Sequence, residues 1–223
     1  MTLVLNGWAA SARAWDLCAF RRDRILSYVE QLDGLADRAL DAAADGAVLV
    51  GWSMGGSTAL RLAASRPDRI RGLVLVAATP RMMADEGWRG MTPRRLEALH
   101  RGLELTCGEG FLGRPEGVPN PYLMDGEANL RRGLDYLLET DLRPVLEAAF
   151  GGVRTPFPVA IFQSRRDGIV PLAHAEYLAR LFPQAVVTCV DGGEHALPVT
   201  IPGAIDAAVR AIAADGPSSM SKG

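Results

Sequence analysis

The stretch Val48-Leu-Val-Gly-Trp-Ser-Met-Gly-Gly-Ser57 sets the first chemical question, because Gly51, Ser53 and Gly55 form the pattern G-x-S-x-G. An apolar run leads into it, and the amphipathic stretch Met54–Ser65 leads out. A serine on such a strand-to-helix turn has a strained backbone and a hydroxyl raised above the sheet. The flanking glycines leave room for so tight a turn. The helix N-terminus behind the serine favours developing negative charge. The expected chemistry is nucleophilic attack by Ser53.

A serine hydroxyl is a weak nucleophile and needs a base, normally a histidine oriented by a carboxylate. The chain has 3 histidines. His100 sits beside Arg101 in an amphipathic helix and reads as solvated or half-buried; His174 lies just inside a helix that starts near Pro171 and reads as facing solvent. His195, in Val190-Asp-Gly-Gly-Glu-His-Ala, follows the last strand-like run on a Gly-rich loop, where a base can hang over the carboxyl edge of a sheet. Elimination favours His195. For the acid, Asp167 follows the run Pro158–Gln163, with Asp191 and Glu194 as competitors close to His195. The chain order Ser, Asp, His, each after a strand, favours Asp167. An oxyanion hole needs two backbone N–H groups. Met54 would supply one, and the loop Asn6-Gly7-Trp8 points to Trp8 for the other, although Trp8 also reads as a plain core aromatic.

These side chains must be held by a scaffold. Thr2–Leu5, Ile25–Val29, Ala47–Gly51, Gly72–Ala77, Pro158–Gln163 and Ala185–Val190 are short aliphatic runs suited to strands buried on both faces. Amphipathic stretches at Gly34–Ala44, Met54–Ser65, Leu172–Phe182 and Gly203–Ala214 lie between or after them. The alternation predicts an α/β fold, a mostly parallel central sheet flanked by helices. From Arg81 to Arg154 no strand is expected, only helical patterns and an irregular Pro/Gly-rich loop at Glu109–Tyr122. This predicts a core of residues 1–80 and 155–215, a helical lid insertion at 81–154, and a frayed tail at 216–223.

Composition excludes other classes. The 24 basic and 26 acidic side chains give a formal charge of −2, which argues against nucleic-acid binding. No apolar run reaches the ~20 residues that span a bilayer, and Met1–Trp8 has no basic n-region of a signal peptide. Cys18, Cys107 and Cys189 are scattered, so neither a disulfide framework nor a metal site follows from them. No dinucleotide fingerprint appears, so no cofactor is expected. The expectation is a cytoplasmic, monomeric protein.

The elbow, Asp167 in Asp-Gly-Ile-Val-Pro171 and His195 in Glu-His-Ala resemble the α/β-hydrolase fold. Leu3–Trp8, Gly51–Gly56, Gly133–Arg143 and Asp167–Pro171 resemble, more specifically, the BioH-type esterases. That resemblance implies hydrolysis of the methyl ester of pimeloyl-acyl-carrier protein in biotin synthesis. The substrate would be an acyl ester presented on acyl-carrier protein. It also implies that Arg94, Arg95 and Arg101 contact the carrier, and that Leu99, Leu103 and Phe111, with Leu96, line an acyl channel. Against this, 10 arginines face 12 acidic residues between Arg81 and Arg154, so the lid has no net basic charge. The chain also starts directly at the oxyanion strand, and Asn6-Gly7 stands where the family has His-Gly. A general short-chain carboxylesterase, a menaquinone-pathway-type lyase and a non-catalytic ligand-binding homologue are the alternatives on the same fold.

Overall fold

The computed structural model describes residues 1–106 and 126–214, apart from the side chains at 103, 104 and 106. The strands β1 (Thr2–Leu5), β2 (Arg24–Leu26), β3 (Ala47–Trp52), β4 (Ile70–Val76), β5 (Val159–Ser164) and β6 (Val186–Val190) form one sheet in the order β2-β1-β3-β4-β5-β6. Every pair is parallel. Successive side chains of a strand point to opposite faces, and the sequence uses this cleanly. Leu3, Leu5, Leu49, Leu73, Leu75 and Ile161 pack into one layer, and Val4, Val48, Val50, Val74, Val76 and Phe162 into the other.

Helices α2 (Leu35–Asp41), α3 (Met54–Ser65), α6 (Arg143–Phe150) and α7 (Leu172–Leu181) cover the leucine face, and α9 (Pro202–Ala214), which follows the one-turn α8 (Leu197–Thr200), covers the valine face. Between β4 and β5 the chain also forms α4 (Pro93–Thr106) and α5 (Glu127–Glu139). The two ends of this excursion are fastened together. Leu142 N–H donates to the Pro80 carbonyl at 2.9 Å. Arg81 and Arg143 both pair with Asp85 and Asp141. The Arg143 guanidinium lies 5.0 Å from the centre of the Trp88 ring, and His174 of α7 stacks on Trp88 at 4.4 Å.

Two expectations about elements need correction. The run Ile25–Val29 is strand only to Leu26. Ser27 accepts from Glu30 N–H while the Glu30 carboxylate accepts from Ser27 N–H, a capping box that starts α1 (Tyr28–Leu32). Local side-chain hydrogen bonding therefore overrides the aliphatic run. The last run forms β6, but as an edge strand paired only with β5, so Val186 and Val187 are exposed rather than buried. The expected irregular stretch at 109–122 and the tail at 216–223 lie outside the described residues. Among the described residues no helix is long and apolar enough to cross a membrane.

Candidate active site

Ser53 stands between β3 and α3 with φ 55° and ψ −120°, a left-handed conformation that a non-glycine residue adopts only under strain. The surroundings hold it there. Its N–H donates to Val76 O at 2.9 Å, and its carbonyl accepts from Gly56 N–H at 2.9 Å. A methyl group at Gly55 would run into the Leu5 carbonyl, so only glycine lets α3 approach the end of β1 this closely.

His195 Nε2 lies 2.9 Å from Ser53 Oγ, and His195 Nδ1 lies 2.9 Å from Asp167 Oδ2. An ionised carboxylate only accepts, so Nδ1 carries the proton and Nε2 is left to accept from the serine hydroxyl. Asp167 Oδ1 accepts from Ile169 N–H at 2.8 Å and Val170 N–H at 3.0 Å. Burial pushes the Asp167 carboxyl upward, but facing His195 and accepting from His195, Val170 and Ile169 outweigh it and hold the pKa below the ordinary aspartate value. The competitors sit elsewhere: the side chain of Asp191 is 92% exposed and pairs with Arg165, and Glu194 is exposed with φ 43° beside His195.

The expected oxyanion donors are near the serine. A Cβ built on Gly7 would lie 3.1 Å from Ser53 Cβ, so the loop after β1 passes directly over Ser53. Among the described residues, the backbone N–H groups of Trp8 and Met54 take part in no loop or cap hydrogen bond. The loop itself is well anchored. Asn6 N–H donates to Leu26 O at 3.0 Å, Asn6 Oδ1 accepts from Trp15 Nε1–H at 2.6 Å, and Asn6 O accepts from Gln31 Nε2 at 2.9 Å. The Trp8 ring is half-buried, and its Nε1–H donates to Leu130 O of α5 at 2.9 Å, so the indole reaches the inserted helices.

Two residues that the sequence left without a role touch this arrangement. Trp52 Nε1–H donates to the His195 carbonyl at 2.9 Å and fixes the loop that carries His195. Gln163 Nε2 lies 3.1 Å from Asp167 Oδ2. Their places beside the serine and at the end of β5 were the only sequence signal available.

The remaining histidines depart from expectation. His174 is fully buried, not solvated, because its ring stacks on Trp88 and Nε2 bonds the Arg89 carbonyl. Burial pushes its pKa down, more than the Arg89 carbonyl and Asp167 push it up. His100 is buried at 3% exposure against the Trp8 ring, 5.9 Å away. Arg94, Arg95 and Arg101 are exposed, and Arg95 donates to Gly168 O at 2.7 Å, beside Asp167. Leu96 is fully buried and Leu99 partly buried against the valine-face core. The side chain of Leu103 and the whole of Phe111 lie outside the described residues. Among the described residues, no group of three or more His, Cys, Asp or Glu side chains is placed to hold a metal ion.

Comparison with known proteins gives the family and the fold. Residues 3–208 match the model of the Alpha/beta hydrolase family. A curated relative from Klebsiella pneumoniae subsp. pneumoniae, named pimeloyl-[acyl-carrier protein] methyl ester esterase, is 29% identical over 91% of this chain and 89% of its own length. One of the same name from Aliivibrio fischeri is 26% identical over 87% and 86%. A third, from Chromobacterium violaceum, is 32% identical over 67% and 63%. Among solved structures, an esterase from Exiguobacterium antarcticum superposes with a TM-score of 0.74 at 16% identity, covering 95% of this chain and 91% of that one. A hydrolase from Pseudomonas aeruginosa gives 0.73 at 22%, covering 95% and 89%.

Proposed function

This chain belongs to the alpha/beta hydrolase family, and on that premise we propose that it is a serine carboxylesterase that removes the methyl group from pimeloyl-acyl-carrier protein methyl ester. The observation that carries the reading is the unbroken chain Ser53–His195–Asp167, two hydrogen bonds of 2.9 Å on a strained elbow. The substrate is supported by the curated relatives, which carry that activity in their names and align over most of this chain.

His195 Nε2 takes the Ser53 proton as Oγ attacks the ester carbonyl. The tetrahedral oxyanion forms against the N–H groups of Met54 and Trp8, donors already oriented before the charge develops. His195 returns the proton to the departing methoxide, and methanol leaves. Water, deprotonated by the same histidine, then hydrolyses the acyl-Ser53 ester, so one molecule of water is consumed and the free carboxylate is released. Asp167 stays ionised throughout and steadies the imidazolium. The helices α4 and α5, which sit over Trp8, act as a lid, and Leu96 and Leu99 give it an apolar inner side.

The test compares turnover of pimeloyl-acyl-carrier protein methyl ester with that of free dimethyl pimelate and p-nitrophenyl butyrate. The reading predicts that the carrier-bound ester has the highest kcat/KM, by about tenfold or more, since 1.4 kcal/mol of carrier binding suffices. Equal or better turnover of the small esters would make the protein a general short-chain carboxylesterase.

A further inference from the structure

We infer that Gln163 is a positioning residue of the proposed triad, which holds the Asp167 carboxylate in place and disperses its charge. The inference rests on the triad reading above and adds a group that the G-x-S-x-G, Asp and His pattern does not contain. Gln163 is the penultimate residue of β5 and is 1% exposed. Its Nε2 lies 3.1 Å from Asp167 Oδ2, 3.0 Å from Val170 O and 3.3 Å from Ser164 O. All three partners accept and none donates. The amide orientation is therefore forced, since a flipped Oε1 would face three acceptors. Among the described residues, the buried Oε1 finds no hydrogen-bond partner. A buried carbonyl without a donor is unfavourable, so the position carries a cost that an aliphatic side chain would avoid. The donor on Asp167 and its loop is what the amide supplies in return.

The same carboxylate oxygen, Oδ2, also accepts from His195 Nδ1. Gln163 thus competes with His195 for that oxygen and spreads its negative charge. Among the described residues, the charged or titratable groups near Asp167 include His195, His174 on α7, and Arg95 of α4, which reaches the neighbouring Gly168 carbonyl. Gln163 is a neutral donor inside that ring.

Removing the donor leaves Asp167 Oδ2 more negative, so a protonated His195 is held more tightly. The free base then forms only at higher pH. For Gln163→Met we expect kcat to fall about fivefold, as for the loss of one hydrogen bond to the Asp167 carboxylate. KM should stay within about twofold, and the acidic limb of the pH–rate profile should move up by about half a unit. Gln163→Glu keeps the shape but places a second carboxyl against Asp167; the limb should move up further and kcat fall more. A brace that merely steadies residues 164–170 would lower the melting temperature and kcat while leaving the acidic limb unmoved. That outcome, or two variants that match wild type, overturns the inference. Wild type and Ser53→Ala run alongside on p-nitrophenyl butyrate. Hydrolysis that persists in Ser53→Ala overturns the triad reading and this inference with it, whereas Ser53-dependent hydrolysis with an unmoved limb overturns this inference alone.

Discussion

Ser53 spends its backbone strain in aiming Oγ at His195, and the rest of the site is arranged so that this aim is not lost. Asp167 illustrates how tightly: four donors converge on one carboxylate, two from the backbone and two from side chains. Replacing it with asparagine should lower kcat by about four orders of magnitude, because His195 would take the wrong tautomer. The stability effect has a definite sign. A carboxyl whose folded pKa is depressed contributes stability that is full above the ordinary aspartate value and is lost as pH falls through the folded value. Melting temperatures of Asp167→Asn should therefore fall less than those of wild type between pH 4 and pH 2. At this scale the grouping of Ser53, His195 and Asp167 was legible, because elimination among 3 histidines and chain order pointed to these three. Gln163 was not, since nothing in a lone glutamine after an apolar run reveals which oxygen its amide will meet. His174 was misread for a similar reason. Its helical position said nothing of Trp88, more than eighty residues earlier, packing over it.

At the scale of elements, the site depends on short connections with specific ends. α1 is only five residues long, yet it delivers Gln31, whose amide fixes the carbonyl of Asn6 and so the loop over Ser53. Its capping box is the local device that makes so short a helix stand. Ser27→Ala should lower stability by about 1 kcal/mol in chemical denaturation. The sequence showed Ser27 and Glu30 at capping-box spacing, but the preceding aliphatic run masked them. The long strands and α3 were legible to within a residue or two, because alternating leucine and valine layers leave each strand one register. β6 was misjudged as buried. Composition reports hydrophobicity, not whether a further strand follows.

Across the molecule, the loops after β1, β5 and β6 meet around Ser53 at the carboxyl edge of the sheet, and α5, inserted between β4 and β5, reaches the first of them through Trp8. The ion pairs of Arg81, Asp85, Asp141 and Arg143 close the neck of the insertion, while Trp8 joins α5 to the loop over Ser53. Strand order places β1, β3 and β5 so that their carboxyl ends bring Trp8, Ser53 and Asp167 together, which is where open α/β sheets hold their chemistry. The alternation of runs made this architecture readable, whereas the fastening of the insertion rests on contacts between residues some sixty positions apart and left no periodic signal. The central claim is that Ser53 is the nucleophile and His195 its base. Intact-mass and peptide-mapping mass spectrometry after exposure to a fluorophosphonate tests it most directly. The account predicts a single adduct on Ser53, absent in Ser53→Ala and formed far more slowly in His195→Gln. An adduct at another residue, or none on the folded wild-type protein, would contradict it.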